Sequence, residues 1–322
     1  MSRPSDSASD DATDRHRRQI GRWSSVHEAY FHCLSCRADG WVPFHCVALP
    51  IDDLGFRQGV TAVERLRTRG GRPFLMKDHL RRLAATTDHL KIESSPSAER
   101  LGELIESCLE RNRPLWRADG DVGVTVWLTP GSTNALQRRA TWCVHLNPID
   151  FELVDERLAG GQPVVVTEVR QPPPESWSRQ AKVRCRLHYY LADQTAQQVR
   201  PGATGLLLDQ DGSVTESSIA NVAVVKEGRI VSPPADRILA GVTLGRARAV
   251  ARGIGIPWAE QPIFPQQLVE ADEVLLMGTD TGIWSACSVD VIGNHAMSRP
   301  AAGRSDQDQP TIGRRLQARL SG

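Results

Sequence analysis

Lysine residues are the first candidates for chemistry, because an amine can bond covalently to an aldehyde and can carry a proton. The 322-residue chain has only four of them among its 39 basic residues. Three stand where exposure to solvent is expected: Lys77 at the start of a predicted helix, Lys91 near a helix end and Lys226 in a predicted hairpin turn. Lys182 lies just before a predicted helix, in the run AKVRCRLHYYLA. Lys182 is therefore the preferred candidate, although its position alone does not exclude a surface lysine.

A carboxylate in an unusual setting lies between two apolar runs of the second half of the chain. These runs, at 206–208 and 222–225, predict strands, and the polar run 215–221 between them contains Glu216. A carboxylate flanked by buried strands needs dedicated partners, since burying an unpaired charge is costly. Glu216 is thus a candidate functional acid, the alternative being a surface residue of an ordinary β-hairpin.

An anion-binding element is predicted shortly after this carboxylate. Gly241-Val242-Thr243 opens a predicted helix that ends near Gly253. The free N–H groups and the dipole of a helix N-terminus favour an anion such as phosphate, and the hydroxyl of Thr243 adds a donor. The sequence therefore predicts a phosphate site at this helix end.

The stretch 205–243 as a whole resembles the class IV aminotransferases, the fold-type IV enzymes that use pyridoxal 5'-phosphate (PLP). The family pattern is D-x-x-G-x-x-x-E-x-x-x-x-N, followed by a short hairpin and L-x-G-[IV]-T. The matching residues are Asp209, Gly212, Glu216, Asn221, Leu239, Gly241, Val242 and Thr243. The agreement of several spaced elements makes this resemblance far more specific than a lone tripeptide.

The resemblance implies an α+β, fold-type IV architecture with PLP as cofactor, a smaller N-terminal α/β domain and a C-terminal β-barrel-like domain with helices. It implies that Lys182 holds PLP covalently and that Glu216 bonds the pyridine nitrogen, which keeps the ring protonated and electron-withdrawing. The spacing between Lys182 and Glu216 is similar to that of the family. By the same resemblance Val242 and Thr243 contact the phosphate, and Thr279 contacts phosphate or substrate.

A further phosphate ligand is sought in the predicted helix after Asp78, which we expect to cap that helix. Arg81 and Arg82 both lie well off its apolar stripe, on opposite flanks, so periodicity cannot choose between them. The family's H-x-x-R-L motif places Arg82 on the PLP phosphate, which a guanidinium can bind through two donors. Arg81 is interpreted as solvated, and His79 as structural.

Three functions remain open. The resemblance favours a transaminase that moves an amino group between a branched-chain-like amino acid and a 2-oxo acid, with Lys182 carrying the α-proton. The first alternative is aminodeoxychorismate lyase, which eliminates pyruvate with the same cofactor. Lyases of the family often carry K-x-x-x-R-L, matched here by Lys182, Arg186 and Leu187, and Val63 replaces an aromatic residue of several transaminases. The second alternative is an inactive PLP-fold binding protein.

Composition narrows the partners to small molecules. A net charge of +1 gives no reason to expect nucleic acid, and no apolar run approaches the roughly 20 residues of a membrane span. Seven scattered cysteines and the absence of an N-terminal apolar core predict a cytoplasmic protein. Cys33 and Cys36 form a lone C-x-x-C, which we interpret as packing on opposite faces of a strand rather than as a metal or redox site. The resemblance implies a homodimer.

The chain is expected to divide into five segments. Residues 1–22 are polar and predict a disordered tail. Residues 23–146 form the N-terminal α/β domain, 147–160 a linker and 161–296 the PLP-binding domain. Residues 297–322 form a polar C-terminal tail, with a short helix expected near its end.

Overall fold

Two compact units make up the protein. The computed structural model describes residues 26–116, 120–133, 139–293, 298–299 and 310–320. The first unit extends to Leu153 and takes in Val183–Cys185, and the second comprises Val154–Lys182 and the chain from Arg186. The segment 147–160, expected as a linker, contains the helix Phe151–Gly160, and the change of unit falls within this helix.

The first unit contains one six-stranded sheet. Its strands are β1 (Glu28–Cys33), β2 (Ala38–Pro43), β3 (Ala62–Arg69), β4 (Arg72–Pro73), β5 (Gly123–Thr129) and β6 (Thr141–Asn147). Their order is β2-β1-β6-β5-β3-β4, and every neighbouring pair is antiparallel. The helices of this unit are Leu54–Arg57, Met76–His89, Ala98–Arg111 and Arg113–Trp116, with a 3-10 turn at Phe44–Cys46.

The core of the first unit forms where the two long helices cover the sheet. The apolar stripe predicted for the helix after Asp78 is confirmed, with Leu80 and Leu83 buried, and Leu104 and Ile105 are buried on the other long helix. Burying each such side chain contributes roughly 1.5–3 kcal/mol. The second helix begins at a side-chain cap, since the hydroxyl of Ser97 accepts from the backbone N–H of Arg100.

The second unit contains a sheet that closes on itself. Its strands are β7 (Gln162–Arg170), β8 (Thr204–Leu208), β9 (Val214–Ser217), β10 (Asn221–Lys226), β11 (Arg229–Ser232), β12 (Trp258–Glu260), β13 (Glu273–Gly278), β14 (Gly282–Val291) and β15 (Ser298–Arg299). The order β10-β13-β14-β7-β8-β9 is completed by pairing of β9 with β10, at Glu216 and Asn221. This ring of six strands confirms the expected β-barrel-like domain, and the chain as a whole is α+β.

Helices surround this barrel. They are Leu187–Val199, Val242–Gly253, Pro265–Glu270 and Ile312–Gln317, with a 3-10 turn at Ala235–Arg237. The Leu187–Val199 helix packs on β7 and β8. The Ile312–Gln317 helix packs on β14, and Leu316 and Leu320 are fully buried. The last described residues therefore belong to the domain core instead of a polar tail, whereas the predicted disordered tail 1–22 lies outside the described residues.

The interpretation of the C-x-x-C motif as two positions on opposite faces of one strand is wrong. Strand β1 ends at Cys33, and a turn follows that brings Cys36 back, with 2.8 Å between the two Sγ atoms. Period-two alternation does not apply across a turn. In the part of the chain that the structure describes, no cluster of three or more His, Cys, Asp or Glu side chains could hold a metal ion.

Candidate active site

Glu216 lies on strand β9, within the polar run that the sequence placed between two strands. All four residues of this strand are buried, and Glu216 is only 3% exposed. The polar residues around it are extended because β9 pairs with both β8 and β10 and closes the barrel. The fold thus places a carboxylate in the wall of the barrel, where partners must come from the protein.

Four donors meet the Glu216 carboxylate. The hydroxyl of Tyr189 donates to Oε1 at 2.7 Å, and Nε2 of Gln171 donates to the same oxygen at 3.2 Å. Nδ2 of Asn221 donates to Oε2 at 2.8 Å, and the backbone N–H of Leu239 donates to it at 3.1 Å. Each oxygen thus has two donors, which fix the orientation of the carboxylate.

Burial and these hydrogen-bond partners act in opposite directions on the pKa of Glu216. Burial raises the pKa of Glu216 above its ordinary value, while the Tyr189 hydroxyl and the Leu239 N–H act in the opposite direction. The positive charges of Lys182 and Arg186 also lower the pKa of this carboxyl, although burial prevails. Lys182 is thus one of two basic side chains whose charge acts on this carboxyl.

Lys182 stands in an irregular segment of the second unit, five residues before the Leu187–Val199 helix. Its side chain is half-buried, whereas Lys77, Lys91 and Lys226 are exposed. Lys226 lies in the hairpin turn, where it donates to the carbonyl of Glu270. The structure therefore singles out the same lysine as the sequence did.

The predicted phosphate site at Gly241 lies at an uncapped helix N-terminus, as an anion site of this kind requires. The helix Val242–Gly253 begins there without a side-chain cap, so its first-turn N–H groups remain available for an anion. Thr243 is buried in that first turn and Val242 is half-buried. Gly241 must lack a side chain, because a Cβ atom would collide with Oδ1 of Asn221. The helix end and the partner of Glu216 are thus packed together.

Thr279 follows β13, in the turn that leads into β14, and is half-buried. Strand β13 pairs with β10, and Met277 lies opposite Asn221. Thr279 therefore lies two residues beyond the β13 residue that pairs with Asn221, and Asn221 is a hydrogen-bond partner of Glu216. Glu216, Val242, Thr243 and Thr279 lie on this set of connected elements, whereas Lys182 stands in an irregular segment.

Arg82, the remaining predicted phosphate ligand, belongs to the first unit and is clearly distinguished from Arg81. Its Nε and Nη2 atoms donate to Glu64 at 2.6 and 2.8 Å, and its side chain is 9% exposed. Arg81 is 77% exposed and pairs with Asp78. The expectation that Asp78 caps the helix is wrong, because the helix already begins at Met76 after Leu75 in left-handed conformation.

Glu64 holds Arg82 with the help of His79. Nδ1 of His79 lies 2.8 Å from Oε2 of Glu64, and both side chains are buried. Burial alone would raise the pKa of Glu64, but the charge and hydrogen bonds of Arg82, with those of His79, lower it to about 2. The carboxylate stays ionised at neutral pH, and it orients the guanidinium through a two-point contact.

Sequence reasoning missed Tyr189 and Gln171. Neither belongs to the motif around Glu216, and they lie 27 and 45 residues before it in the chain. A signal was nevertheless present, because a buried carboxylate requires donors and the run after Lys182 contains two adjacent tyrosines. Only the packing of the Leu187–Val199 helix on the barrel shows which tyrosine supplies the donor.

These residues fit PLP. A buried carboxylate suits a protonated ring nitrogen, an uncapped helix N-terminus suits a phosphate dianion, and a half-buried lysine near that carboxylate suits an aldehyde. The barrel, the carboxylate in its wall and the nearby lysine together define a fold-type IV, cofactor-dependent enzyme.

Comparison with known sequences gives the family. The family model of Amino-transferase class IV matches residues 61–289. The chain belongs to the class IV aminotransferases, which are PLP enzymes. It is 28% identical over 221 residues to a probable branched-chain-amino-acid aminotransferase of Thermotoga maritima, covering 68% of this chain and 74% of that protein. It is 29% identical over 256 residues to a D-alanine aminotransferase of Listeria monocytogenes, covering 74% and 82%.

Solved structures share the fold. The branched-chain aminotransferase of Thermoproteus uzoniensis, solved with norvaline, superimposes with a TM-score of 0.76 at 19% identity, covering 91% of this chain and 93% of that one. The Escherichia coli branched-chain aminotransferase gives a TM-score of 0.75 at 20% identity, covering 92% and 94%. At these identities the likeness establishes the fold.

Proposed function

We propose that this aminotransferase moves an amino group between a branched-chain-like amino acid and a 2-oxo acid, with Lys182 as its catalytic residue. The observation that carries the proposal is the buried Glu216 carboxylate with Lys182 beside it. Several relatives are branched-chain aminotransferases, which supports this substrate class. Because one relative is a D-alanine aminotransferase, both the L- and the D-enantiomers of the amino acids have to be tested.

The residues have distinct tasks. PLP, when bound, supplies an electron-withdrawing ring that stabilises negative charge at the substrate α-carbon. Lys182 would hold the cofactor through its amine, and the same amine would carry the proton from the substrate α-carbon to the cofactor carbon. Glu216 would accept a hydrogen bond from the pyridine nitrogen and would keep that nitrogen protonated. The donors around Glu216 hold this carboxylate in place while it does so.

The phosphate is assigned to the residues that the family resemblance implies. The N–H groups of Val242 and Thr243 lie at the uncapped helix end, and Thr243 and Thr279 add hydroxyl donors. Arg82 adds a guanidinium whose orientation is fixed by Glu64. A dianion held by N–H groups, hydroxyls and one fixed cation is bound by charge-assisted hydrogen bonds, the strong class of such bonds.

The lyase alternative depended on the match of Lys182, Arg186 and Leu187 and on Val63, and of these Arg186 has partners of its own. Its Nη2 atom donates to the carbonyl of Ser218, and its guanidinium lies 4.6 Å over the ring of Tyr189. Arg186 therefore has a role within the site that does not need a lyase substrate. This observation favours the transaminase.

A donor and acceptor screen tests the function. Purified protein with leucine, valine or alanine of either hand and 2-oxoglutarate should release the matching 2-oxo acid and form an equal amount of glutamate. Without 2-oxoglutarate, release should stop after one equivalent per active site, because the amino group has no acceptor. If no amino acid of either hand reacts while aminodeoxychorismate yields pyruvate without an acceptor, the protein is a lyase.

Substitutions of the adjacent arginines test the phosphate assignment. Arg82→Ala should weaken PLP binding by about ten- to a hundredfold, since a charge-assisted contact is worth about 1.5–3 kcal/mol. Arg81→Ala should change PLP binding little, because Arg81 is exposed and pairs with Asp78. PLP dissociation constants from fluorescence titration give the comparison, and equal effects of the two substitutions would overturn the assignment.

A second variant separates binding from folding. Arg82→Ala also leaves Glu64 buried without its cation, which costs stability. Arg82→Lys retains the charge but loses the two-point contact. We expect it to fold better than Arg82→Ala and still to bind PLP more weakly than the wild-type protein does.

We also propose that residues 161–296 form the PLP-binding domain of a cytoplasmic homodimer. The seven cysteines are free thiols, which supports a reducing compartment. Leu187, Tyr190 and Leu191 form an exposed apolar group on one helix, which supports self-association. Among the described residues no helix is long and apolar enough to span a membrane. Light scattering of the purified protein tests the dimer, and a monomer mass would exclude it.

A further inference from the structure

The two oxygens of Glu216 are held in different ways. Oε2 accepts from the backbone N–H of Leu239 and from Asn221, whose amide also donates to the Leu239 carbonyl at 3.1 Å. Asn221 is further confined by Gly241, which approaches it closely. The partners of Oε2 are therefore fixed by the backbone and can hardly be removed without moving it.

Oε1 depends on side chains alone. The Tyr189 hydroxyl donates to it at 2.7 Å, the shortest hydrogen bond of the carboxylate. Gln171 donates to both Oε1 and the Tyr189 oxygen at 3.2 Å, so its amide is shared between two acceptors. Tyr189 is thus the principal partner of Oε1, and Gln171 supports the tyrosine and the carboxylate together.

Tyr189 is itself held from two sides. The guanidinium of Arg186 lies 4.6 Å from the centre of its ring, and the ring of His188 lies at 4.2 Å. Burial and the charge of Arg186 lower the pKa of His188 to about 4, so this neighbour is neutral at pH 7. Arg186 is fixed in turn by the carbonyl of Ser218, two residues after Glu216. The contacts run from Arg186 through the phenol to the carboxylate.

We propose that Tyr189 is a positioning residue, whose hydroxyl fixes the orientation and the ionised form of Glu216, and that Arg186 holds Tyr189 in place for this task. The inference rests on the proposed role of Glu216 beside the cofactor. It explains why Tyr189 donates at the shortest distance although it lies outside the family motif. It also gives Arg186 a function in a transaminase.

The charges around Glu216 determine the direction of the expected change. The groups that act on it are Tyr189, Lys182 and Arg186. Burial raises the pKa of Glu216, and the Tyr189 hydroxyl opposes this. Removing the hydroxyl therefore raises the pKa further, so that Glu216 becomes protonated at a higher pH than in the wild-type protein.

Tyr189→Phe tests the inference, because it keeps the ring against Arg186 and removes only the hydroxyl. The acid limb of the kcat/KM profile should move up by about one pH unit, as expected for the loss of one charge-assisted hydrogen bond. The same shift should appear in an infrared pH titration of the full-length protein, which follows the absorption band of the protonated Glu216 carboxyl. The band is assigned to Glu216 by its loss in the Glu216→Gln variant. The infrared measurement needs no catalytic turnover.

Tyr190→Phe is the matched control. Tyr190 is the next residue on the same helix and is 60% exposed. This substitution should leave both titrations unchanged. A fall in activity of Tyr189→Phe without movement of the acid limb would show a merely structural tyrosine and overturn the inference. An undiminished effect of Tyr189→Phe in the Glu216→Gln background would overturn it as well, because Tyr189 would then not act through Glu216.

A second variant covers the case in which Tyr189→Phe does not fold. Arg186→Gln removes the cation that lies over the ring and near the carboxylate, and it should raise the acid limb in the same direction. If Arg186→Gln changed neither the acid limb of the kcat/KM profile nor the infrared titration of Glu216, the inference would be overturned. Failure of the proposed function is recognised separately, by a wild-type protein that catalyses no transamination while its Glu216 band still titrates.

Discussion

Replacing Lys182 by alanine should lower transaminase turnover by about 10³-fold or more. A positioned general base contributes roughly 10²–10⁴-fold, and Lys182 is proposed to act both as nucleophile and as proton carrier. Steady-state release of 2-oxo acid gives the size of the effect. PLP should still bind to Lys182→Ala through the helix N-terminus and Glu216, because the residues of those contacts are unchanged.

Borohydride reduction of the wild-type protein locates the lysine independently. Reduction should fix PLP on the peptide that contains Lys182, and Lys182→Ala should lose this label. Lys226→Ala is the matched control, because Lys226 is exposed in a turn and pairs with Asp272. A label on Lys77, Lys91 or Lys226 would show that the catalytic lysine has been assigned wrongly.

Replacing Glu216 by glutamine should lower turnover by about 10²-fold. Loss of one fixed electrostatic contact to a charge that develops during the reaction typically costs 10²–10³-fold. Glutamine cannot hold the ring nitrogen protonated, and its amide would face two of the donors that now meet a carboxylate. The decrease should therefore appear in kcat, with a smaller change in the dissociation constant of PLP.

Thermal unfolding of the same variant separates catalysis from stability. Some loss of stability is expected, because buried donors lose their acceptor. Glu175→Gln serves as the control, since Glu175 is exposed in the same unit. If Glu216→Gln retained wild-type kcat, Glu216 would not be the partner of the ring nitrogen and the proposed reaction scheme would have to be abandoned.

Periodic patterns predicted the local structure well. The helices that contain Leu83 and Ile105 form where apolar residues recur at helical spacing, because a helix needs one apolar face to bury against the sheet. The helix after Gly241 and the hairpin at Lys226 also occur as predicted. Such features depend on residues within one or two turns of each other, so local sequence is sufficient.

Predictions that required long-range packing were less reliable. Glu216 was placed in a polar run between two predicted strands, and pairing with β8 and β10 makes its segment a strand of its own. The C-terminal tail was expected to be polar, yet Leu316 and Leu320 are buried in the second unit. In both cases tertiary contacts outweigh local composition. In the C-terminal segment, burying two leucine side chains stabilises the folded state by more free energy than the neighbouring polar residues lose.

The amino-acid sequence by itself determined the family, the barrel-like second domain and the chemical types available to the site. A chain with four lysines, and with Glu216 in a specific motif, restricts the choice of nucleophile and ring partner before any coordinates are known. Periodicity could not choose between Arg81 and Arg82, because both flank the apolar stripe of one helix, and only the tertiary structure supplied the Glu64 contact that fixes Arg82 while Arg81 is solvated. It also brought Tyr189 and Gln171 to Glu216, because hydrogen bonds between residues far apart in sequence exist only after the barrel has closed.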